Sequence, residues 1–256
     1  MNDVTVPASF LSGVSKSYQM DSVAVPVLAD IELLVRPGRF TVLLGPSGSG
    51  KTTLLNLIGC IDRADIGQVM VAGQDVSTLS DDELADFRMR NIGFIFQNFN
   101  LLPVLTAAEN IEYPMLLAGL PADRRARRVN KLLQAVGLSE LGKNRPGQLS
   151  GGQRQRVAIA RALALGPMLV IADEPTANLD SRTGVEILAL MRRMQRRYGI
   201  SFLFSSHDRA VLREADDTIF LRDGAIRAVR RRVDAEPLPV VEADTNDDPV
   251  TEQSLS

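Results

Sequence analysis

The sequence has one cysteine, one histidine and no apolar run that approaches the length of a membrane span. The single cysteine, Cys60, excludes an internal disulfide, and one histidine beside one cysteine argues against a metal site built from these residue types. Since a span needs roughly 18 consecutive apolar residues, we expect no membrane-spanning helix. Residues 1–4 also lack a basic region followed by an apolar one, so we expect no signal peptide and a chain that stays in the cytoplasm.

Basic residues are absent from the C-terminal segment 233–256, which contains seven acidic residues, three prolines and no aromatic residue. The whole chain has a net charge of −2, so residues 1–232 carry +5. A segment of this composition cannot bury enough apolar surface to fold. We therefore predict an acidic, disordered tail over residues 230–256.

A glycine-rich stretch at residues 45–52 organises the chain. The preceding run 40–44 is almost wholly apolar, as a strand buried on both faces should be, and residues 52–61 have apolar residues at helical spacing. Between them the spacing G-x-x-x-x-G-K-[ST] of a phosphate-binding loop is complete. Its residues are Gly45, Pro46, Ser47, Gly48, Ser49, Gly50, Lys51 and Thr52.

The physical chemistry of this loop predicts nucleotide binding. Its glycines let successive N–H groups point into one concavity, and the following helix adds unsatisfied donors and the positive end of its dipole. Lys51 brings a mobile positive charge to the outer phosphates, and the hydroxyl group of Thr52 can bind Mg²⁺.

Several shorter patterns predict the elements around this loop. Segments 8–14 and 27–35 are predicted strands, and the apolar alternation of the second favours a half-exposed antiparallel sheet, with Tyr18 between the two strands. Ser80 and Glu83 form a capping box that starts a helix. Residues 101–142 have the character of helices interrupted by proline and glycine, and Asp223-Gly224 predicts the turn of a terminal hairpin that ends at residue 229.

Polar residues follow three further apolar runs in the same way as the phosphate loop follows the first. Gln97, Asp173-Glu174 and His207 each come directly after a strand of the buried type. In open parallel α/β sheets, ligands bind at the carboxyl ends of the strands. These strand ends therefore predict one convergent site, although they are far apart in the sequence.

Each of these polar residues has a chemical and a structural interpretation. Asp173 can hold Mg²⁺ opposite Thr52, and Glu174 can polarise a water for attack on the γ-phosphate, or the two can cap a helix that follows. A lone histidine is commonly structural, but the position of His207 at a strand end favours a contact with the γ-phosphate. Gln97 is long enough to reach Mg²⁺ or the attacking water.

A second glycine-rich stretch, Leu149-Ser150-Gly151-Gly152-Gln153, begins a helix and is a second potential anion site. It has no lysine and no metal ligand of its own. By itself it is also compatible with an ordinary helix start capped by Ser150. The continuation QRQRVAIARAL over residues 153–163 makes that simpler interpretation a poor one.

Taken together and in this order, the motifs resemble the ATP-binding subunit of an ABC transporter over roughly residues 8–229. Residues 45–52 resemble the Walker A motif, 149–153 is the unaltered LSGGQ signature, and 169–173 resembles Walker B. The resemblance places Glu174 at the catalytic glutamate, Gln97 in the Q-loop, His207 in the H-loop and Tyr18 where an aromatic ring stacks on adenine. The residues that it assigns to catalysis are Glu174, His207, Lys51 and Gln97. Those assigned to Mg²⁺ are Thr52, Gln97 and Asp173. Those assigned to ATP are Tyr18, residues 45–52, Thr53, Ser150, Gly151, Gly152, Gln153 and Asp180.

The resemblance also implies a fold and an assembly. The fold is a P-loop ATPase α/β core with a mostly parallel sheet, an N-terminal antiparallel β subdomain and an inserted α-helical subdomain at roughly 98–160, all within a domain 1–229. The assembly is a head-to-tail homodimer in which ATP on Walker A of one copy is closed by Ser150, Gly151 and Gly152 of the other. The energy would be used by a separate integral membrane subunit, contacted through segment 98–118, on the cytoplasmic face of the inner membrane.

Segments 93–103 and 173–180 are similar to the lipoprotein-release, macrolide-export and cell-division branch of the family, with Ala177 where many relatives have glycine. A first alternative is an ABC ATPase that acts on DNA or ribosomes. Fewer than a hundred residues separate Walker A from the signature, without the heptads of DNA-repair relatives, and there is one such domain, so we expect no nucleic-acid partner. A second alternative is a cell-division ATPase that switches a membrane partner without moving a substrate.

Overall fold

The computed structural model describes residues 6–21, 23–206 and 209–232. Its first unit is an antiparallel sheet with the strand order β2-β1-β4-β5. These strands are β1 (Ser9–Met20), β2 (Val23–Val35), β4 (Ile66–Val71) and β5 (Gln74–Asp75). In β2, Ile31, Leu33 and Val35 are buried whereas Leu34 is exposed, which confirms the predicted alternation.

Both strands of the first hairpin are longer than the predicted segments 8–14 and 27–35. Their pairing continues to Met20 and Val23, so Tyr18 lies within β1 and opposite Val25, and not between the strands. Register shifts interrupt the pairing after Leu11, where the chain passes through a glycine with positive φ. The bulge breaks the apolar alternation, and for that reason the sequence pattern ended too early.

The second sheet has the strand order β10-β9-β3-β8-β7-β6 and contains the phosphate-loop strand near its centre. Its strands are β3 (Phe40–Leu44), β6 (Ile92–Ile95), β7 (Leu169–Asp173), β8 (Ser201–Ser205), β9 (Asp217–Arg222) and β10 (Ala225–Arg231). All neighbours are parallel except β9 and β10. Asp223 and Gly224 both have positive φ, as the predicted Asp-Gly turn requires, and β10 extends two residues beyond the predicted end at 229.

Seven helices surround the two sheets in the described part of the chain. They are α1 (Lys51–Ile58), α2 (Asp81–Asn91), α3 (Ala107–Leu117), α4 (Ala122–Ala135), α5 (Gly151–Ala162), α6 (Ser181–Tyr198) and α7 (Arg209–Glu214), with short 3₁₀ helices at 76–78, 139–141 and 146–148. The capping box of Ser80 and Glu83 starts α2 as predicted, and α5 starts with one formed by Ser150 and Gln153. Helices α3 to α5 follow one another between β6 and β7.

Two hydrophobic cores lie on opposite faces of the parallel sheet. Phe40, Val42 and Phe204 pack with the helical side, whereas Leu43 and Leu203 pack with α1 and the antiparallel sheet. Side chains on both faces of β3 are buried, which explains why all of its residues except Thr41 are apolar. This fold is the predicted α/β core with an antiparallel sheet and helices inserted between two strands.

Candidate active site

The strand ends that the sequence singled out meet at one edge of the parallel sheet. Strands β3, β8, β7 and β6 are neighbours in that order. Ser205 at the end of β8 pairs with Leu43 on one side and with Asp173 on the other, and Ala172 pairs with Ile95. The phosphate loop, Asp173 and the segment that begins at Gln97 therefore leave the sheet side by side.

The phosphate loop wraps around the side chain of Lys51. The ammonium group of this buried lysine donates hydrogen bonds to the carbonyl oxygens of Gly45 and Pro46, both at 2.9 Å. Gly50 precedes α1 with φ of 98°, and among the described residues no side chain caps this helix. The first N–H groups of α1 and its dipole therefore suit an anion. Pro46, Ser47 and Gly48 form the exposed rim of the loop, and Ser49 is buried.

Thr52 and Asp173 come together although 121 residues separate them in the sequence. The hydroxyl group of Thr52 donates a hydrogen bond of 3.0 Å to Oδ2 of Asp173. No cluster of three or more His, Cys, Asp or Glu side chains suited to a metal occurs in the described part of the chain. A carboxylate beside a hydroxyl group nevertheless fits Mg²⁺, which keeps several waters and takes one or two carboxylates together with substrate phosphates.

Glu174 has a left-handed backbone conformation with φ of 46°. This conformation is uncommon for a residue other than glycine and persists only where the surroundings enforce it. The N–H group of Glu174 donates a hydrogen bond of 3.0 Å to Oγ of Ser205. The abrupt turn lets Glu174 leave the sheet edge in a direction different from that of Asp173.

Gln97 is exposed and lies two residues beyond the end of β6, and its backbone accepts a hydrogen bond from the segment after Walker B. The side-chain amide of Asn178 donates hydrogen bonds to the carbonyl oxygen of Gln97 at 3.1 Å and to Oδ1 of Asn98 at 2.9 Å. Two residues later, Asp180 caps α6, and hydrogen bonds from Thr183 hold the pKa of its carboxyl group below the usual range. The segments that contain Gln97 and Asp180 therefore lie together.

The signature stretch lies at the start of α5. Ser150 and Gln153 exchange hydrogen bonds through their side chains and backbone N–H groups, so the helix start is ordered. Gly152 lies so close to Thr183 that a Cβ atom there would be 2.6 Å from the threonine methyl group. Within the described residues, no hydrogen bond or ion pair joins 149–153 to the phosphate loop 45–52.

Tyr18 is partly exposed near the start of α1, and its phenol group is anchored. The hydroxyl group donates a hydrogen bond of 2.7 Å to Oδ2 of Asp62. Burial and this hydrogen bond raise the pKa of Tyr18, and the side chain of Thr53 also faces the hydroxyl group. Lys16 donates to Oδ1 of Asp62 at 3.0 Å. The phenol group is therefore held beside Thr53, which directly follows the phosphate loop in the sequence.

Sequence reasoning missed several residues, and two of its predictions, His207 and the tail from residue 233 onward, fall outside the described part of the chain. His207 lies outside the described residues, so its contact with the γ-phosphate stays a prediction. The residues that were missed are Asp62, which holds Tyr18, and Ser205 and Gln155, which contact the segment around Glu174. The available signal for Ser205 was its position directly after the apolar run 202–204.

None of the helices in the described part of the chain has the length and apolar character that a membrane crossing needs.

A family model described as "ABC transporter" matches residues 28–177. The lipoprotein-releasing system ATP-binding protein LolD of Anaeromyxobacter dehalogenans is 51% identical over 88% of this chain and 95% of its own length. The macrolide export ATP-binding/permease protein MacB of Brucella melitensis is 46% identical over 86% of this chain but only 34% of its own length.

A solved structure also has a similar fold. The dimeric, post-hydrolysis state of the ATP-binding cassette MJ0796, bound to ADP and Pi, superposes with a TM-score of 0.80 at 39% sequence identity. The match covers 88% of this chain and 99% of that one. Sequence and structure comparisons therefore agree on the same kind of domain.

Proposed function

Because the chain belongs to the ABC transporter ATP-binding family, and is thus an ATPase, we propose that it drives a separate membrane subunit of the lipoprotein-release or macrolide-export type. In this proposal ATP binding closes a head-to-tail homodimer and hydrolysis reopens it. Residues 1–229 form the ATP-binding domain, with the helical subdomain at roughly 98–160, and the protein acts at the cytoplasmic face of the inner membrane.

The observation that carries the proposal is the separation of two anion sites within one chain. The phosphate loop contains Lys51 and Thr52 and has Asp173 beside it, whereas the start of the signature helix has no lysine and no metal ligand. A second copy that presents Ser150, Gly151 and Gly152 to the γ-phosphate would complete each site. ATP then lies between two protomers, so its binding would close the dimer and its loss would open it.

The residues at the sheet edge divide the chemistry among them. Lys51, placed over the loop by the carbonyl groups of Gly45 and Pro46, binds the outer phosphates. Glu174 orients the attacking water and accepts its proton, and His207 holds the γ-phosphate. Thr52, Asp173 and Gln97 would hold Mg²⁺, which offsets charge on the phosphate oxygens.

We assign the contact with the membrane subunit to segment 98–118. A cavity of about 370 Å³ opens between α2, β6, α3 and α5, and Tyr113 and Leu117 lie on its wall. Leu102, Val104 and Leu116 on the same segment are exposed apolar residues. A large exposed apolar surface is typical of a protein interface.

The same segment is joined to the signature helix. The guanidinium group of Arg161 in α5 donates hydrogen bonds to the carbonyl oxygens of Phe99 and Asn100, at 2.9 and 2.5 Å. Through these bonds, displacement of the signature helix on dimer closure would reach the surface assigned to the membrane subunit.

Glu174→Gln tests the catalytic part of the proposal. This variant removes the base but keeps the shape of the side chain, so turnover should fall by about 10²–10⁴-fold while ATP is still bound. Size-exclusion chromatography with ATP should then show a stable dimer. Glu140→Gln, at an exposed position outside the site, is the control and should hydrolyse ATP like the wild type. Wild-type turnover in Glu174→Gln would refute the catalytic assignment.

A pull-down from membranes tests the partner. Recovery of a multi-span protein with a large extracytoplasmic domain would support the proposal, and replacement of Val104 and Leu117 by serine should weaken that recovery. Recovery with nucleic acid in place of a membrane protein would contradict it.

A further inference from the structure

Ser205 has a place in the site that no motif assigns to it. It is the last residue of β8, is completely buried and follows three apolar residues of the strand. Its hydroxyl group donates a hydrogen bond of 2.5 Å to Oδ1 of Asp173 and accepts one of 3.0 Å from the N–H group of Glu174. One side chain thus contacts both of the acidic residues that end β7.

The bond to Asp173 determines the direction in which that carboxylate presents its second oxygen. Oδ1 is engaged by Ser205, while Oδ2 accepts the hydroxyl group of Thr52 at 3.0 Å. A carboxylate held at one oxygen cannot rotate freely, so Oδ2 stays directed at the place where the divalent cation of the proposed function would bind. Partners of this kind orient metal ligands and raise their affinity for the metal.

The bond to Glu174 acts on the backbone. Glu174 has the unfavourable left-handed conformation, and it directly follows the last residue pair of the β7–β8 register, Asp173 and Ser205. An acceptor at this position satisfies the N–H group and stabilises the turn from which the Glu174 side chain projects. A serine hydroxyl group can donate once and accept as well, so Ser205 meets both requirements without a second residue.

We propose that Ser205 is a positioning residue that aligns Asp173 with the bound cation and fixes the backbone of Glu174. The inference rests on the proposed roles of these two residues, and it assigns to β8 a function in catalysis that is independent of His207. Ser205 itself touches neither nucleotide nor water in this scheme. Its removal should therefore affect metal-dependent nucleotide binding and turnover, but not the binding of metal-free nucleotide.

The test compares Ser205→Ala and Ser205→Thr with Ser201→Ala as the matched control. Ser201 lies on the same strand, is also buried and accepts the N–H group of Gly38 at 2.9 Å, but it is at the opposite end of β8. The affinity of each variant for a fluorescent ATP analogue is titrated against Mg²⁺ and, separately, in EDTA. Steady-state turnover is measured in parallel.

For Ser205→Ala we expect the apparent Mg²⁺ affinity and the turnover to fall by about 10–100-fold, with unchanged affinity for nucleotide in EDTA. Ser205→Thr retains the hydroxyl group and should restore both quantities to within a few-fold. Ser201→Ala should leave both at the wild-type level. If Ser205→Ala does not fold, Ser205→Val replaces it, since valine matches threonine in shape without a hydroxyl group.

Two outcomes separate failure of this inference from failure of the proposed function. The role of Ser205 is overturned, and the metal site is upheld, if two results occur together. The folded variant without the hydroxyl group keeps the wild-type dependence on Mg²⁺, and Asp173→Asn loses that dependence. If Asp173→Asn also binds Mg²⁺ and nucleotide like the wild type, the metal site itself is wrongly assigned.

Discussion

The buried side chain of Gln155 donates a hydrogen bond of 2.6 Å from Nε2 to the carbonyl oxygen of Pro175. Gln155 belongs to α5, which the signature serine, Ser150, caps, and Pro175 directly follows Glu174. In the proposed dimer, Ser150 closes the ATP site of the partner, whereas Glu174 acts in the site of its own chain. This bond therefore joins elements of two different ATP sites through one helix.

Gln155→Met should uncouple these sites. Methionine fills a similar volume but cannot donate the hydrogen bond, so we expect turnover to fall about tenfold and the cooperativity of hydrolysis with ATP concentration to decrease. Gln195→Met is the control, because Gln195 is also buried and donates from Nε2 to the carbonyl oxygen of Gly38 at 2.5 Å, away from the site. Each variant should lose about 1–3 kcal/mol of unfolding free energy. Equal turnover in the two variants would show that the bond is purely structural.

Tyr18→Ala should weaken ATP binding through the base alone. Stacking of a base on an aromatic ring contributes about 1–3 kcal/mol, so the dissociation constant for ATP should rise roughly 5- to 150-fold. Inorganic tripolyphosphate has no base, and its affinity should not change. Tyr18→Phe keeps the ring but loses the hydrogen bond to Asp62. Its affinity for ATP should therefore lie between those of the wild type and Tyr18→Ala. An equal loss of tripolyphosphate affinity in Tyr18→Ala would exclude base stacking.

Gly45→Ala should abolish nucleotide binding. A Cβ atom at this position would lie 2.0 Å from the carbonyl oxygen of Leu221 and 2.6 Å from Oγ of Ser49, and the Leu221 backbone cannot give way without displacement of the phosphate loop. Gly147→Ala is the control, since an added Cβ there meets no atom within 4 Å. Binding of a fluorescent ATP analogue and thermal unfolding distinguish the two variants. Wild-type affinity in Gly45→Ala would contradict the loop geometry.

The pair of Arg192 and Asp216 should make the stability depend on acid pH. Burial favours a higher pKa for Asp216, but hydrogen bonds from Arg192 and the N–H group of Phe40, with attraction from Arg192 and Arg39, outweigh it and lower the pKa. The carboxylate of Asp216 therefore binds a proton less readily in the folded state than in the unfolded state. Its stabilisation is fully present above the ordinary aspartate pKa of about 4 and is lost as the pH falls through the lower folded value.

Urea unfolding at a series of pH values between 7 and 3 checks this dependence. Asp216→Asn should lose about 1.5–3 kcal/mol of unfolding free energy at pH 7, because charge-assisted bonds to Arg192 disappear. Below pH 4 the difference from the wild type should shrink. A difference in unfolding free energy that stays constant over the whole pH range would show that folding does not change the pKa of Asp216.

Local patterns were sufficient for the parts of the site that lie within one turn or one element. The phosphate loop could be predicted because its glycines, Lys51 and Thr52 act within eight consecutive residues. The helix starts at Ser80 and Ser150 and the turn at Asp223-Gly224 follow from capping and turn chemistry over two to four residues. The end of β1 was wrong because a bulge interrupts the alternation on which the prediction depended.

The sequence by itself determined the family, the parallel core and the strand ends at which polar residues occur, because these depend on spacing and on the period of apolar residues. Only the tertiary structure decided which of these polar groups meet. Thr52 and Asp173 are 121 residues apart, and Ser205 contacts Asp173 across 32. Such contacts depend on the order and register of strands β3, β8 and β7, which are set by the packing of the two cores against the sheet and not by any local pattern.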